Sequence, residues 1–275
     1  MIFIKGDRNM KWWISDFDGT LTVNSKKEVI AEKDLNFIER WTKENNFIIA
    51  TGRDVSYINY LIEHYNLKSE YKMANNGASL YKGNELIFNQ SIEMEGRKKL
   101  FEIVNMLYKF CGIKIADYNN CIILSGIEEE TPRYKETIVH EKWFKMEDNF
   151  KEYANEILNN KDLNNITFFA HPQDFEYILS LFEGFKNLKI IQTSPYNLEV
   201  MHKDVSKYSG IKFLKEKYSI SDDNIIVSGD GDNDFEMLSG CINSFAMKNG
   251  TMKAHMAAKH IISNVFEIEN FISIK

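Results

Sequence analysis

Two stretches decide the fold: Lys11-Trp12-Trp13-Ile14-Ser15-Asp16-Phe17-Asp18-Gly19-Thr20, and Asn224-Ile225-Ile226-Val227-Ser228-Gly229-Asp230-Gly231-Asp232-Asn233-Asp234. Each is a short apolar run of the kind that forms a buried strand, and each ends at once in acidic residues. In open α/β sheets the ligand crevice lies beyond the carboxyl ends of the strands. Two acidic clusters placed there, far apart in the chain, can converge around a hard cation. Strand alternation lets Asp16 and Asp18 address one side while Phe17 points into the core.

Outward from the first stretch, a helix is expected around Asp34–Glu44, with Phe37, Ile38 and Trp41 on one face. Phe47-Ile-Ile-Ala is a second buried strand that stops at Thr51-Gly52. Val55, Ile58, Leu61, Ile62 and Tyr65 then recur at helical spacing. Such β-α-β-α alternation implies parallel strands with crossover helices, an α/β doubly wound, Rossmann-like sheet. The rhythm changes after Asn76-Gly77. Gly83-Asn84 is a two-residue hairpin signal between Ala78–Tyr81 and Glu85–Phe88.

A strong helix carrying Leu100, Phe101, Val104, Leu107, Tyr108 and Cys111 follows. Strands are expected near Lys114–Tyr118, Cys121–Ser125, Ile166–Ala170 and Leu188–Gln192, and helices near Asn149–Asn159 and Asp174–Phe182. This is the pattern of an inserted α+β cap. After Leu198–Met201 the first rhythm resumes, with a helix near Ser206–Lys217, the second deciding strand, a helix from Asp234, a strand at Ser244–Met247 and a helix at Thr251–Ala258. The division reads as a core of 1–82 plus 195–275 and a cap of 83–194. The aromatic stripes, with Trp12, Trp13 and Trp41, read as core.

The acidic runs have blander readings. Asp, Asn and Gly favour turns, and one cluster alone is equally well read as turn punctuation. A calcium loop of the EF-hand type wants Gly at position six and Glu at position twelve. Counting from Asp16 gives Leu21 and Lys27, and from Asp230 gives Phe235 and Cys241, so that reading fails.

Composition narrows the function. The chain has 275 residues, 44% hydrophobic and 27% charged, enough for one large or two modest domains. A net charge of −6 argues against general nucleic-acid binding, which needs a basic face. Cys111, Cys121 and Cys241 show no metal-ligand spacing and read as buried thiols in a reducing compartment. No apolar run approaches the ~20 residues that cross a bilayer. Met1-Ile-Phe-Ile-Lys-Gly-Asp is too quickly polar for a signal peptide, so a cytoplasmic location is expected, with no membrane partner.

At this point the residues resemble the haloacid dehalogenase superfamily of phosphotransferases, especially its capped Cof-type phosphatases (class IIB-like), over nearly the whole chain. Asp16-Phe-Asp18-Gly-Thr20 is similar to the first motif, Ala50-Thr51-Gly52-Arg53 to the second, Lys207 in Val-Ser-Lys to the third, and Gly-Asp230-Gly-Asp-Asn233-Asp234 with Met237-Leu238 to the fourth. Asn75-Asn76-Gly77-Ala78 and Ala246-Met247-Lys-Asn249 also match Cof-type runs. Two departures stand out: Tyr208 follows Lys207 where the family commonly has Gly, and Asn249-Gly250 replaces Asn-Ala. Lys203 competes with Lys207 for the third motif, but Lys207 has the spacing to Ile211 and Leu214 that starts an amphipathic helix.

The resemblance implies a Mg²⁺-dependent phosphatase. Asp16 would be the nucleophile. Asp18 would be the acid and base, starting protonated under the influence of nearby acids and partial burial. Lys207 would neutralise phosphate and hold Asp16, while the Thr51 hydroxyl and Gly52 N–H would bind phosphate oxygens. Asp16, Asp230, the backbone carbonyl of Asp18 and, through water or supporting bonds, Asp234 would hold the metal. Arg53 and Asn233 are candidate substrate contacts, Arg53 being equally well read as a structural ion-pair partner. Asn76 and Asn249 read as loop organisers, and His171 as a surface or packing residue. The expected partner is a small phosphorylated metabolite, a sugar phosphate first, met by a monomer or weak homodimer. A sugar phosphomutase of the same superfamily and a phospho-aspartate signalling protein are the alternatives.

Overall fold

The structure is a computed structural model that describes residues 10–22, 29–109, 111–124, 145–147 and 150–273. The opening Met1–Asp7 stretch, Ser125 and Asn149, each part of a reading above, lie outside the described residues. The chain divides into two compact units, Met1–Phe88 with Ser206–Lys275, and Asn89–Val205.

In the first unit the chain runs β1 (Trp12–Ser15), α1 (Glu32–Trp41), β2 (Asn46–Ala50), α2 (Val55–Tyr65), β3 (Tyr71–Ala74), β4 (Ser79–Lys82) and β5 (Glu85–Asn89). In the second it runs α3 (Met94–Leu107), β6 (Gly112–Ala116), β7 (Cys121–Leu124), β8 (Lys145–Glu147), α4 (Phe150–Asn159), β9 (Asn165–Phe169), α5 (Phe175–Ser180), β10 (Leu188–Ser194) and β11 (Asn197–His202). The first unit resumes with α6 (Lys207–Tyr218), β12 (Ile225–Gly229), α7 (Phe235–Gly240), β13 (Asn243–Met247), α8 (Met252–Ala257) and β14 (His260–Ile262).

The first unit is built on an eight-stranded sheet ordered β14-β13-β12-β1-β2-β3-β4-β5. The strands are parallel from β14 to β3, and β4 lies antiparallel to β3. Both faces are covered. Trp13, Phe37, Trp41 and Phe47 form one aromatic cluster with ring centroids 4.7–6.0 Å apart. On the other face Ile14, Ile48, Ala50 and Met73 pack with Ile211 and Leu214 of α6 and Met237 and Leu238 of α7. Full burial is why these strands read as unbroken apolar runs. Strand β3 escapes a sequence reading because Tyr71-Lys72-Met73-Ala74 carries a lysine, which the fold buries against the amide oxygens of Asn59 and Asn84.

The second unit has a six-stranded sheet ordered β10-β11-β9-β6-β7-β8, antiparallel except for the β7–β8 pair. Ile113, Ile115, Ile166, Phe168, Leu198 and Val200 give one sheet face to a core shared with Leu100, Val104 and Leu107 of α3. Pairing moves the division between units from 82/83 and 194/195. Strand β5 completes the first sheet beside β4, and β11 pairs with both β10 and β9 in the second. The breaks therefore fall after Phe88 and Val205.

Candidate active site

Strands β1 and β12 are neighbours in register Ser15↔Ser228, although more than two hundred residues separate them. The Asp16 N–H donates to the Ser228 carbonyl at 2.9 Å, so the ladder itself brings Asp16 alongside the acidic run that follows Gly229. Helix α6 starts at Lys207. Ser206 caps it in a reciprocal box with Ser209, which places Lys207 in the first turn. The side chain is buried and donates to Asp16 Oδ1 at 2.5 Å and Asp234 Oδ1 at 2.7 Å. Lys203, by contrast, is exposed and paired with Asp204 at 2.8 Å.

Asp16, Asp230 and Asp234 each offer a carboxylate oxygen within 4.8 Å of the others. Burial pulls the Lys207 ammonium toward neutrality, but Asp16 and Asp234 outweigh it and hold the group charged. Burial raises the Asp16 pKa well above the usual range against the pull of Lys207, with Asp234, Asp230 and Asp18 adding to the rise. Asp230 is pushed up to about 6 by burial and by Asp234, against a 2.7 Å hydrogen bond donated by the Thr20 hydroxyl. Three carboxylates facing one ammonium leave two uncompensated negative charges. Asp16 Oδ2 is buried without a hydrogen-bond partner among the described residues. A hard divalent cation with oxygen ligands fits this donor set.

Asp234 holds the cluster together more than it faces outward. Its Oδ2 accepts the N–H groups of Asp230 and Gly231 at 2.9 Å each, while Oδ1 takes Lys207. Both oxygens are engaged, Oδ1 by one bond and Oδ2 by two. Gly19 has φ 89°, and a Cβ there would meet Asp230 Oδ2 at 2.4 Å, so neither its conformation nor its space admits a side chain.

The Arg53 guanidinium forks the Asp18 carboxylate, Nε to Oδ2 at 3.1 Å and Nη2 to Oδ1 at 2.8 Å, and lies 4.0 Å from the Tyr57 ring centroid. Proton delivery by Asp18 requires it to leave this ion pair. Thr51 is buried, its Oγ1 accepting from the Arg53 N–H at 3.2 Å. A Cβ on Gly52 would stand 3.1 Å from the Asn76 carboxamide, a tight approach that the amide would have to relieve by a few tenths of an ångström. Asn233 donates to Asn76 Oδ1 at 3.1 Å, a link that sequence spacing does not reveal. Asn249 is exposed on the turn after β13, and His171 accepts a 3.4 Å bond from the Gln173 N–H as the cap of a short 3₁₀ turn in the second unit. Every candidate residue except His171 and Lys203 belongs to the first unit.

Residues 13–269 match the model of the haloacid dehalogenase-like hydrolase family. A protein of Mycoplasma capricolum subsp. capricolum is 29% identical over 94% of this chain and 99% of its own. A protein of Streptococcus pyogenes serotype M6, provisionally named a phosphatase, is 24% identical over 90% of each chain. Among solved structures, TM0651 from Thermotoga maritima is similar with a TM-score of 0.79 at 23% identity, covering 96% of this chain and 98% of its own. The subclass IIB sugar phosphatase BT4131 is similar with a TM-score of 0.77 at 20% identity, covering 97% of this chain and all of its own.

Proposed function

The chain belongs to the haloacid dehalogenase-like hydrolase family, and from that premise we propose that it is a Mg²⁺-dependent phosphatase of a small phosphorylated metabolite, acting through an aspartyl phosphate on Asp16. The observation that carries this reading is the buried Lys207 ammonium between Asp16 and Asp234, beside an Asp16 oxygen with no hydrogen-bond partner among the described residues. The site has an anionic nucleophile, a fixed cation to neutralise phosphate, and carboxylates left over for a metal.

Asp16 attacks phosphorus, and the bond from phosphorus to the ester oxygen breaks. Asp18 gives its proton to the departing alkoxide. It then takes a proton from the water that attacks the phosphorus of the acyl phosphate, and inorganic phosphate leaves as the bond to Asp16 breaks. Lys207 orients Asp16 and offsets the charge of the phosphoryl oxygens, while Thr51 and Gly52 offer donors to them. Asp16, Asp230 and the Asp18 carbonyl would hold Mg²⁺, with Asp234 supporting them. When bound, the ion supplies neutralisation of the charge that gathers on the phosphoryl group.

A sugar phosphate is the leading substrate, supported by the likeness to a sugar phosphatase fold. The test is a phosphometabolite panel with purified protein. Turnover with Mg²⁺, lost to chelator and restored by the ion, is expected. Full turnover in metal-free protein would remove the metal from the reading. Activity that depends on a sugar bisphosphate would assign a mutase instead.

A further inference from the structure

Residues 75–77 form a short 3₁₀ turn between β3 and β4 in which Asn75 (φ 49°), Asn76 (φ 55°) and Gly77 (φ 91°) are successively left-handed. Two adjacent non-glycine residues in that region carry steric cost, which Asn tolerates better than most. All three are buried. Strain of this kind persists only where the surroundings over-determine it.

The surroundings here are three separate segments of the candidate site. The Asn75 N–H donates to the Arg53 carbonyl and the Asn76 N–H to the Thr51 carbonyl, both at 2.9 Å, so the turn grips the Thr51-Gly52-Arg53 loop by its backbone. The Asn76 carboxamide rests on Gly52 and accepts from Asn233 Nδ2. A Cβ on Gly77 would meet the Ser206 carbonyl at 2.3 Å, so the same turn abuts the start of the helix that carries Lys207.

We propose that Asn76 is a positioning residue for phosphoryl transfer. Its carboxamide sets the Thr51-Gly52 loop and Asn233 against one another, so that donors from two distant segments converge on the same phosphoryl oxygens. The inference rests on the phosphatase reading above. Asn76 acts through its neighbours, by the Gly52 contact and the Asn233 hydrogen bond. Misplacement of phosphate donors by about 1 Å is enough for roughly 10²-fold in rate, which the strain of the turn would be retained to prevent.

The test compares Asn76→Gly with Asn233→Ala and the double variant. Glycine takes up the left-handed conformation freely, so Asn76→Gly removes the carboxamide while keeping the path of the turn. Expected are a folded protein with a modestly lower melting temperature, since a buried hydrogen bond is lost, and unchanged Mg²⁺ affinity. Orthophosphate affinity, read by calorimetry, should fall about tenfold, and kcat on nitrophenyl phosphate by about ten- to a hundredfold. Because the two amides act as one unit, the double variant should be no worse than the poorer single. Asn233→Ala breaks the same contact from the more exposed side, so it decides the matter should Asn76→Gly fold poorly. Phosphate affinity and kcat within twofold of the unaltered protein, or losses that multiply in the double variant, would overturn the proposal. If the unaltered protein binds orthophosphate but hydrolyses no phosphoester, the phosphatase reading fails while the affinity comparison still decides the role of Asn76. If it binds no orthophosphate, both fall.

Discussion

Asp16 and Asp18 stand two residues apart and meet opposite surroundings: Asp16 is buried against Lys207, while Asp18 is half-exposed and forked by Arg53. The mechanism gives them unlike tasks. Asp16→Asn removes the attacking anion, so no phosphoenzyme should form. Asp18→Asn keeps the nucleophile but shuttles no proton. With nitrophenyl phosphate, whose leaving group needs little protonation, that variant should release one nitrophenol per site in a burst, then slow by ~10²–10⁴-fold. A hydroxylamine-sensitive phosphate trapped on Asp18→Asn and absent from Asp16→Asn is the measurement; label on any other residue would reassign the nucleophile. A second residue-scale expectation concerns pH. Burial first, then Asp234, keeps a proton on Asp230 up to about pH 6 in the metal-free protein. The protonated acid cannot ligate, so Mg²⁺ affinity should rise as pH climbs through about 6 and proton release should accompany binding. Calorimetry across that range checks it, and a flat profile would exclude Asp230 as a ligand.

At the scale of elements, helix α6 owes its start to the Ser206–Ser209 box, and that start fixes Lys207. Ser206→Ala should cost about 1 kcal/mol of stability and lower turnover by loosening the lysine. Stability lost with kcat unchanged would show that the cap serves the helix alone. Helix α3 presents the reverse case. Arg97 is buried, its Nε and Nη1 have no hydrogen-bond partner among the described residues, and its Nη2 lies 4.0 Å from Met94 Sδ. An uncompensated buried cation is destabilising, and an apolar replacement of similar reach removes the penalty. Arg97→Met should therefore raise stability by roughly 1–3 kcal/mol; a fall in denaturant midpoint would mean that the guanidinium has a partner in solution.

For the whole molecule, the proposed reacting groups of the first unit come from both sides of an insertion that runs from Asn89 to Val205. Asp16, Asp18 and Thr51 precede it, and Lys207, Asp230 and Asp234 follow it, so the cluster exists only when the sheet has closed around β1 and β12. Metal binding should then report global folding. Mg²⁺ at a hundred times its dissociation constant should add about 2.7 kcal/mol to the stability of the native state, and chelator should remove it. Thermal unfolding with and without the ion measures this. An unchanged melting temperature, with the same result for Asp230→Asn, would place the ion elsewhere. No helix among the described residues is long and apolar enough to cross a membrane.

Sequence alone determined much of this protein. Apolar runs ending in acids located β1 and β12, because strands buried on both faces leave an unbroken signal. Helical periodicity marked α2 over Val55–Tyr65, and the spacing of Ile211 and Leu214 singled out Lys207 over Lys203. These are local properties, written within one or two turns of chain. Tertiary structure decided the rest. Only strand pairing assigned β5 and β11 to their sheets, because a strand's own residues do not say which neighbour it pairs with. Only packing showed that Arg53 occupies Asp18, that Asp234 has both oxygens engaged, and that Gly52 makes room for Asn76. Each of these is a contact between segments distant in the chain, and its energy depends on a distance that no stretch of sequence contains.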